Sequence, residues 1–251
     1  MMNTNENNRL TSETEFHDRR FREGDKHRGD VTKYYTAAEQ AKQAYGNIIR
    51  SMCNGKRILE YGCGAESQFA TWEACGAIVT GIDISAEAVR LSRELAAAKS
   101  SKANFEVMNA EDLKFADGSF DLVVGTGILH HLDLGKSYAE IRRVLAIGGT
   151  AVFFEPMGHN PAIKLYRHMT PSIRTPDEHP LLMSDVLWAK QYFGEVQAKF
   201  YVLTTLIAVP FRSWRIGRTI NQILLDSDRL LLSAFPFLRR YCWIVVLELK
   251  K

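Results

Sequence analysis

Residues 58–67, Ile58-Leu59-Glu60-Tyr61-Gly62-Cys63-Gly64-Ala65-Glu66-Ser67, decide the fold. Ile58 to Tyr61 reads as a short strand that runs into a glycine turn, and residues 66–75 read as a helix ended by Gly76. A glycine turn between a strand and a helix lets the backbone come close to a ligand at the helix N-terminus. Outward from that stretch the rhythm repeats. Ala77 to Ile82 is a second strand stopping at Asp83, 23 residues past Glu60, and Ser85 is a good cap for a helix over 86–98. Asn104 to Met108 is a third strand. Phe120 to Val124 is a fourth, apolar but for Asp121, as expected of a strand buried on both faces. A helix over 136–145 and the turn Gly148-Gly149 lead to a fifth strand, Thr150 to Phe154. Strand–helix alternation of this length predicts an α/β fold with a doubly wound, Rossmann-like parallel sheet and right-handed crossovers.

The flanks are less regular. Residues 1–30 hold seven acids and six bases with few apolar side chains, so 1–32 is expected to be a flexible polar tail. Residues 33–52 carry Tyr35, Ala38, Ala41, Ala44, Tyr45 and Ile48 at helical spacing and are expected to form a helical cap. Beyond Pro156, residues 157–182 show no clear period. A helix is expected over 184–193, a sixth strand over Val196–Val202, a helical insertion over 212–240 and a final strand over Tyr241–Leu249. The domain is thus expected to span 33–251, with its cofactor-binding core over 33–156 and substrate or lid elements over 157–193 and 203–240.

Composition narrows the class. The 251 residues are 46% hydrophobic and 24% charged, enough for a large core and against bulk disorder. A net charge of +3 is too small to argue for nucleic acid, and none is expected as partner. The four cysteines include no CxxC pair, so they read as reduced thiols of a cytoplasmic protein, and no metal is expected. The polar N-terminus is unlike a signal peptide, and no apolar run nears the ~18 residues of a spanning helix.

Charge selects the cofactor. An acid ending the second strand, Asp83, suits a ribose hydroxyl pair. A dinucleotide would set its pyrophosphate on the helix N-terminus, where Glu60 and Glu66 stand and where Ser67 replaces the third fingerprint glycine. Like charges 4 Å apart cost about 4 kcal/mol at an effective dielectric near 20. S-adenosylmethionine has no phosphate, and its methionine end carries an ammonium and a sulfonium, which acids suit.

On these motifs the chain resembles the class I S-adenosylmethionine-dependent methyltransferases, specifically the type 11 small-molecule group, over roughly residues 33–156. The resemblance rests on ILEYGCG, VTGIDIS, NAEDLKFADGSFDLV, GTGILHHL and RVLAIGG, in that order. It implies a seven-stranded sheet in the order 3-2-1-4-5-7-6 with strand 7 antiparallel, and S-adenosylmethionine as cofactor. Its implied cofactor-binding residues are Glu60, Gly62, Cys63 and Gly64 in the first motif and Asp83 and Ile84 in the second. Asn109, Ala110 and Glu111 follow in the third, Gly125 and Thr126 in the fourth, and Tyr35 from the N-terminal cap. The chain departs from the family pattern at Glu66, which stands at the last glycine of ExGxGxG, at Asn109 in place of aspartate, and at Ile147 in place of proline.

Methyl transfer asks the protein mainly for alignment and exclusion of water, because the cofactor carries the reactive group. His130 and, less directly, His159 follow strands four and five on the rim where ligands of open sheets bind, and both are candidates for a general base. Arg167 and Arg174 are expected to pair with Asp177 and Glu178, the alternative being that they hold an anionic acceptor. Residues 212–240 carry six arginines among apolar side chains, a pattern that serves a peripheral membrane contact, a dimer face or a lid. The expected reaction is methyl transfer to oxygen, or to carbon or nitrogen, of a small and rather apolar metabolite. The alternatives are a nicotinamide-dependent oxidoreductase and a non-catalytic cofactor-binding partner protein.

Overall fold

The computed structural model describes residues 4–23, 36–65, 67–170, 178–211, 214 and 216–251. Seven strands form one sheet: β1 (Arg57–Tyr61), β2 (Ile78–Asp83), β3 (Asn104–Val107), β4 (Phe120–Thr126), β5 (Leu145–Pro156), β6 (Glu195–Tyr201) and β7 (Ile244–Lys250). Their order is β3-β2-β1-β4-β5-β7-β6. The first five pair in parallel, while β7 runs antiparallel to both β5 and β6.

Alternation along the strands divides the core into two layers. Ile58, Leu122, Val124, Val152, Phe154, Ile244 and Val246 face one way. There they meet α2 (Glu39–Arg50), through Tyr45 and Ile49, and α3 (Phe69–Glu73), through Trp72. Leu59, Val123, Ala151, Phe153, Val245 and Leu247 face the other way, onto Tyr138 and Ile141 of α5 (Leu134–Val144). Helix α4 (Ala86–Ala98) starts where the sequence places it, with Ser85 Oγ accepting from the Ala88 N–H at 3.1 Å. The insertion near the C-terminus is α8 (Gly217–Ala234) followed by a 3-10 turn over Pro236–Tyr241.

Three expectations are corrected. The N-terminal tail is, from Thr4 to Arg22, the helix α1. Its composition hid it because polar pairs hold it: both Nη2 contacts of Arg9 to the Glu111 carboxylate are 2.6 Å, and Ser85 Oγ donates to Asp18 Oδ1 at 2.5 Å. The aperiodic stretch after Pro156 contains α6 (Pro161–Met169), capped by Asn160 Oδ1, which accepts from the Ala162 N–H at 3.0 Å. No residue of α6 is fully buried, so its sequence shows no core stripe. β5 begins at Leu145, before the glycine turn. Its pairing jumps from Phe120↔Leu145 to Leu122↔Thr150, and the intervening turn pushes Ile147 to 99% exposure. The expected helix over 184–193 is α7 (Met183–Trp188) continued by a 3-10 turn over Ala189–Gln191.

Candidate active site

A cleft of about 1060 Å³ opens at the C-terminal edge of β1, β2, β4 and β5. That is the edge where open α/β sheets bind ligands, and the volume exceeds the usual range for one small ligand.

The glycine turn forms its floor. Gly62 and Gly64 have φ of +75° and +57°, and the Gly62 and Cys63 N–H groups donate to the Ile82 carbonyl at 3.0 and 2.8 Å. A Cβ at Gly62 would lie 2.8 Å from Ile128 Cγ1, and one at Gly125 would lie 2.6 Å from Phe153 Cε1. Neither position therefore accepts a side chain without displacing its neighbour. Asp83 is anchored on both oxygens: Oδ2 accepts from the Gly64 N–H and Oδ1 from the Ser85 N–H, each at 2.9 Å. Each oxygen keeps a second lone pair for a ligand hydroxyl. Burial raises the Asp83 carboxyl above its ordinary value, against those two N–H bonds. Glu60 accepts from Ser67 Oγ and, at 2.8 Å, from the Gln68 N–H at the start of α3. Burial pushes it up to about 7.

A matching family model, described as Methyltransferase domain, covers residues 59–153. Residues 59–153 are thus similar to a methyltransferase domain. The chain is 34% identical over 127 residues to the ubiquinone/menaquinone biosynthesis C-methyltransferase UbiE of Geotalea daltonii, across 48% of this chain and 53% of that protein. It is 29% identical over 114 residues to a ubiquinone biosynthesis O-methyltransferase of Bordetella parapertussis, across 45% and 47%. The chain spans about half the length of the curated relatives it matches. Geranyl diphosphate methyltransferase in complex with GPP and sinefungin shares the fold at a TM-score of 0.58 and 16% identity, over 83% of this chain and 77% of that one.

Of the cofactor-binding residues that the resemblance implies, Glu60, Gly62, Cys63, Gly64, Asp83, Ile84, Asn109, Ala110, Gly125 and Thr126 all line the cleft. Glu111 does not. Its carboxylate is taken by Arg9 and by the Asp133 N–H at 2.8 Å, so it fastens α1 and the start of α5. Tyr35, Glu66, Arg174 and Asp177 lie outside the described residues. Tyr45, ten residues on from Tyr35, reaches the cleft from α2 beside Thr126.

The chemistry at the rim centres on His130. Its Nδ1 lies 2.8 Å from Glu155 Oε2, while Glu155 Oε1 accepts from the Ile128 and Leu129 N–H groups at 2.8 and 2.9 Å. Glu155 is fully buried, so the loop after β4 and the imidazole are locked to the end of β5. The Nε2 edge of the ring points the other way, toward Glu178 Oε1 at 3.9 Å, on the cleft wall. Burial is the main cause, and His131 the second, of a His130 pKa below its ordinary value. Glu178 is held by Arg167 Nη1 at 2.5 Å, the ion pair expected there. His159 is corrected: it is not among the cleft-lining residues, and its Nε2 faces the Met183 N–H at 3.4 Å. The side of the cleft missing from the sequence reading is α1, which contributes Glu13, Phe16, His17 and Phe21.

Proposed function

We propose that the protein is an S-adenosylmethionine-dependent methyltransferase acting on a small, largely apolar metabolite, with the methyl group going to an oxygen held at His130. The observation that carries this reading is the single cleft joining the Gly62–Gly64 turn and Asp83 to the Glu155-locked edge of His130. Its volume leaves room for a second ligand beside the cofactor, and Phe16, Phe154, Ile163, Tyr166 and Trp243 put an apolar patch on a wall that also carries charged side chains such as Arg167 and Glu178.

Bound cofactor supplies a sulfonium-activated methyl group, so the protein's work is placement. The carboxyls of Glu60 and Asp83 lie at the glycine turn, where a cationic methionine end, which favours their ionised forms, and a ribose diol are accommodated. His130 Nε2 takes the hydrogen of the acceptor hydroxyl, and Glu155 keeps the ring turned to do so. Helix α1 forms one wall of the cleft. Exposed Ile216, Ile223 and Leu230, seven residues apart, give 212–240 a flank for contact with a membrane surface or a second copy.

Calorimetric titration with S-adenosylmethionine and, separately, NADH tests the cofactor reading on wild type and Asp83→Ala. The expected result is about micromolar binding of the methyl donor, lost in the variant. Preference for NADH, or no binding of the donor, overturns the proposal in favour of an oxidoreductase or a structural glycine turn.

A further inference from the structure

We propose that Glu13, His17 and His131 form a binding site for one divalent transition-metal ion of the zinc class, bridging α1 to the loop after β4. Glu13 and His17 are one helical turn apart and so share a face of α1. Glu13 Oε2 lies 3.3 Å from His17 Nε2 and 3.5 Å from His131 Nδ1, and the three donor atoms all fall within 4.8 Å of one another. Ligands about 2.05 Å from a tetrahedral zinc are separated by about 3.3 Å along each edge of the tetrahedron. Two of the three donor separations therefore already match the spacing such an ion imposes.

The surroundings fit an ion as well. Glu13 is 4% exposed, and the His131 Nδ1 atom is buried with no hydrogen-bond partner. The rings are held from outside the group: His17 packs edge-on against Phe16, and His131 lies 4.3 Å from the His130 ring. Arg9 Nη1 donates to the His131 carbonyl at 3.2 Å and pins its backbone. Two imidazoles and one carboxylate suit zinc and its neighbours, whereas calcium and magnesium ask for oxygen-rich shells. All three side chains line the cleft, so the remaining coordination position opens into it. A second group, His130, His131 and Glu178, shares His131, but there Glu155 holds His130 Nδ1 and Arg167 holds Glu178.

The test is calorimetric titration of the metal-free full chain with zinc chloride, alongside cobalt(II) chloride read by its visible absorption, without methyl donor. The expected result is one zinc per chain and a tetrahedral cobalt band. His17→Ala and Glu13→Gln should each weaken zinc binding by about tenfold or more and remove the band, while Glu178→Gln keeps both. His17→Gln serves where His17→Ala fails to keep the wild-type circular dichroism. No zinc uptake by wild type overturns the site, leaving an ion-paired Glu13. Equal uptake by His17 and Glu13 variants overturns it in favour of an ion held elsewhere, and loss only in Glu178→Gln moves the ion to the second group. None of these outcomes depends on the methyl-transfer reading, which the donor titration tests separately.

Discussion

Gly62→Ala isolates what the glycine turn contributes. Two costs add at this position. With φ at +75°, an alanine backbone is strained by about 1–2 kcal/mol. Its Cβ would also meet Ile128 Cγ1 at 2.8 Å and Cδ1 at 2.9 Å, and overpacking of this kind costs about 1–3 kcal/mol. Gly55 is the internal control. Its φ is +70°, yet nothing lies within 4 Å of its would-be Cβ. Gly55→Ala therefore bears only the strain, offset by about 0.4–1 kcal/mol from a stiffer unfolded chain. Urea unfolding of both variants should show Gly62→Ala less stable than Gly55→Ala by about 1–3 kcal/mol, at unchanged m-value. The excess should shrink in the pair Gly62→Ala/Ile128→Ala, because Ile128 supplies the clashing atoms. Equal loss in Gly62→Ala and Gly55→Ala, or no coupling to Ile128, would refute the close-approach argument. The Ile128 N–H also donates to Glu155, so the displaced loop should lower turnover beyond the loss of stability.

Three further outcomes are expected. Glu60 holds its proton up to about 7 in the folded state, against 4.5 ordinarily, so its contribution to stability is complete below 4.5 and is lost as pH rises through 7. Urea melts across that window should show up to about 3 kcal/mol of fall in wild type that is missing from Glu60→Gln; parallel curves would sink the assignment. His130→Ala should lower kcat by about a hundredfold to ten-thousandfold with the donor's Kd little changed, and an unaltered kcat would remove His130 from the acceptor site. Arg9→Ala deprives the buried Glu111 carboxylate of its guanidinium, at a cost of about 1–3 kcal/mol. Hydrogen exchange should then quicken over residues 4–22 alone, and unchanged protection there would mean that other contacts hold α1.

The parts of the fold legible in the sequence are those in which one chemical signal has one structural outcome. Leu122 to Val124 is an apolar run because both faces of β4 are covered there, whereas Asp121 before it pairs with Arg57. Ser85 marks the start of α4 because its hydroxyl has an N–H three residues ahead to accept from. α1 has no such signal. Its mean hydropathy is low, and what holds it to the body is the identity of partners at Glu111 and Ser85, 102 and 67 residues away. α6 fails for the converse reason: its apolar residues line a cleft or face solvent, so their spacing carries no core stripe. Tyr45 is one of several positions in the helical pattern over 33–52, and only the packing of α2 sets it beside Thr126.

The site divides along the same line. The proposed cofactor residues sit at strand ends, where backbone conformation does the work, so Gly62, Gly64, Asp83 and Gly125 can be read from order and spacing. Side-chain chemistry does not travel with spacing. Glu60, Glu111 and Glu155 are the same residue type near the same edge, yet one caps α3, one fastens α1 and one orients His130. The difference is set by which N–H groups and cations surround each carboxylate, and those come from segments remote in sequence. His130 and His159 look equivalent as histidines following β4 and β5. Glu155 meets only the first, because the loop after β4 folds back so that the Ile128 and Leu129 N–H groups bind Glu155, which leaves Oε2 for His130. The acidic end of β5 therefore acts as the template that selects one histidine of the two, and a chain with Glu155→Gln should keep the cofactor cleft while losing the orientation of the ring.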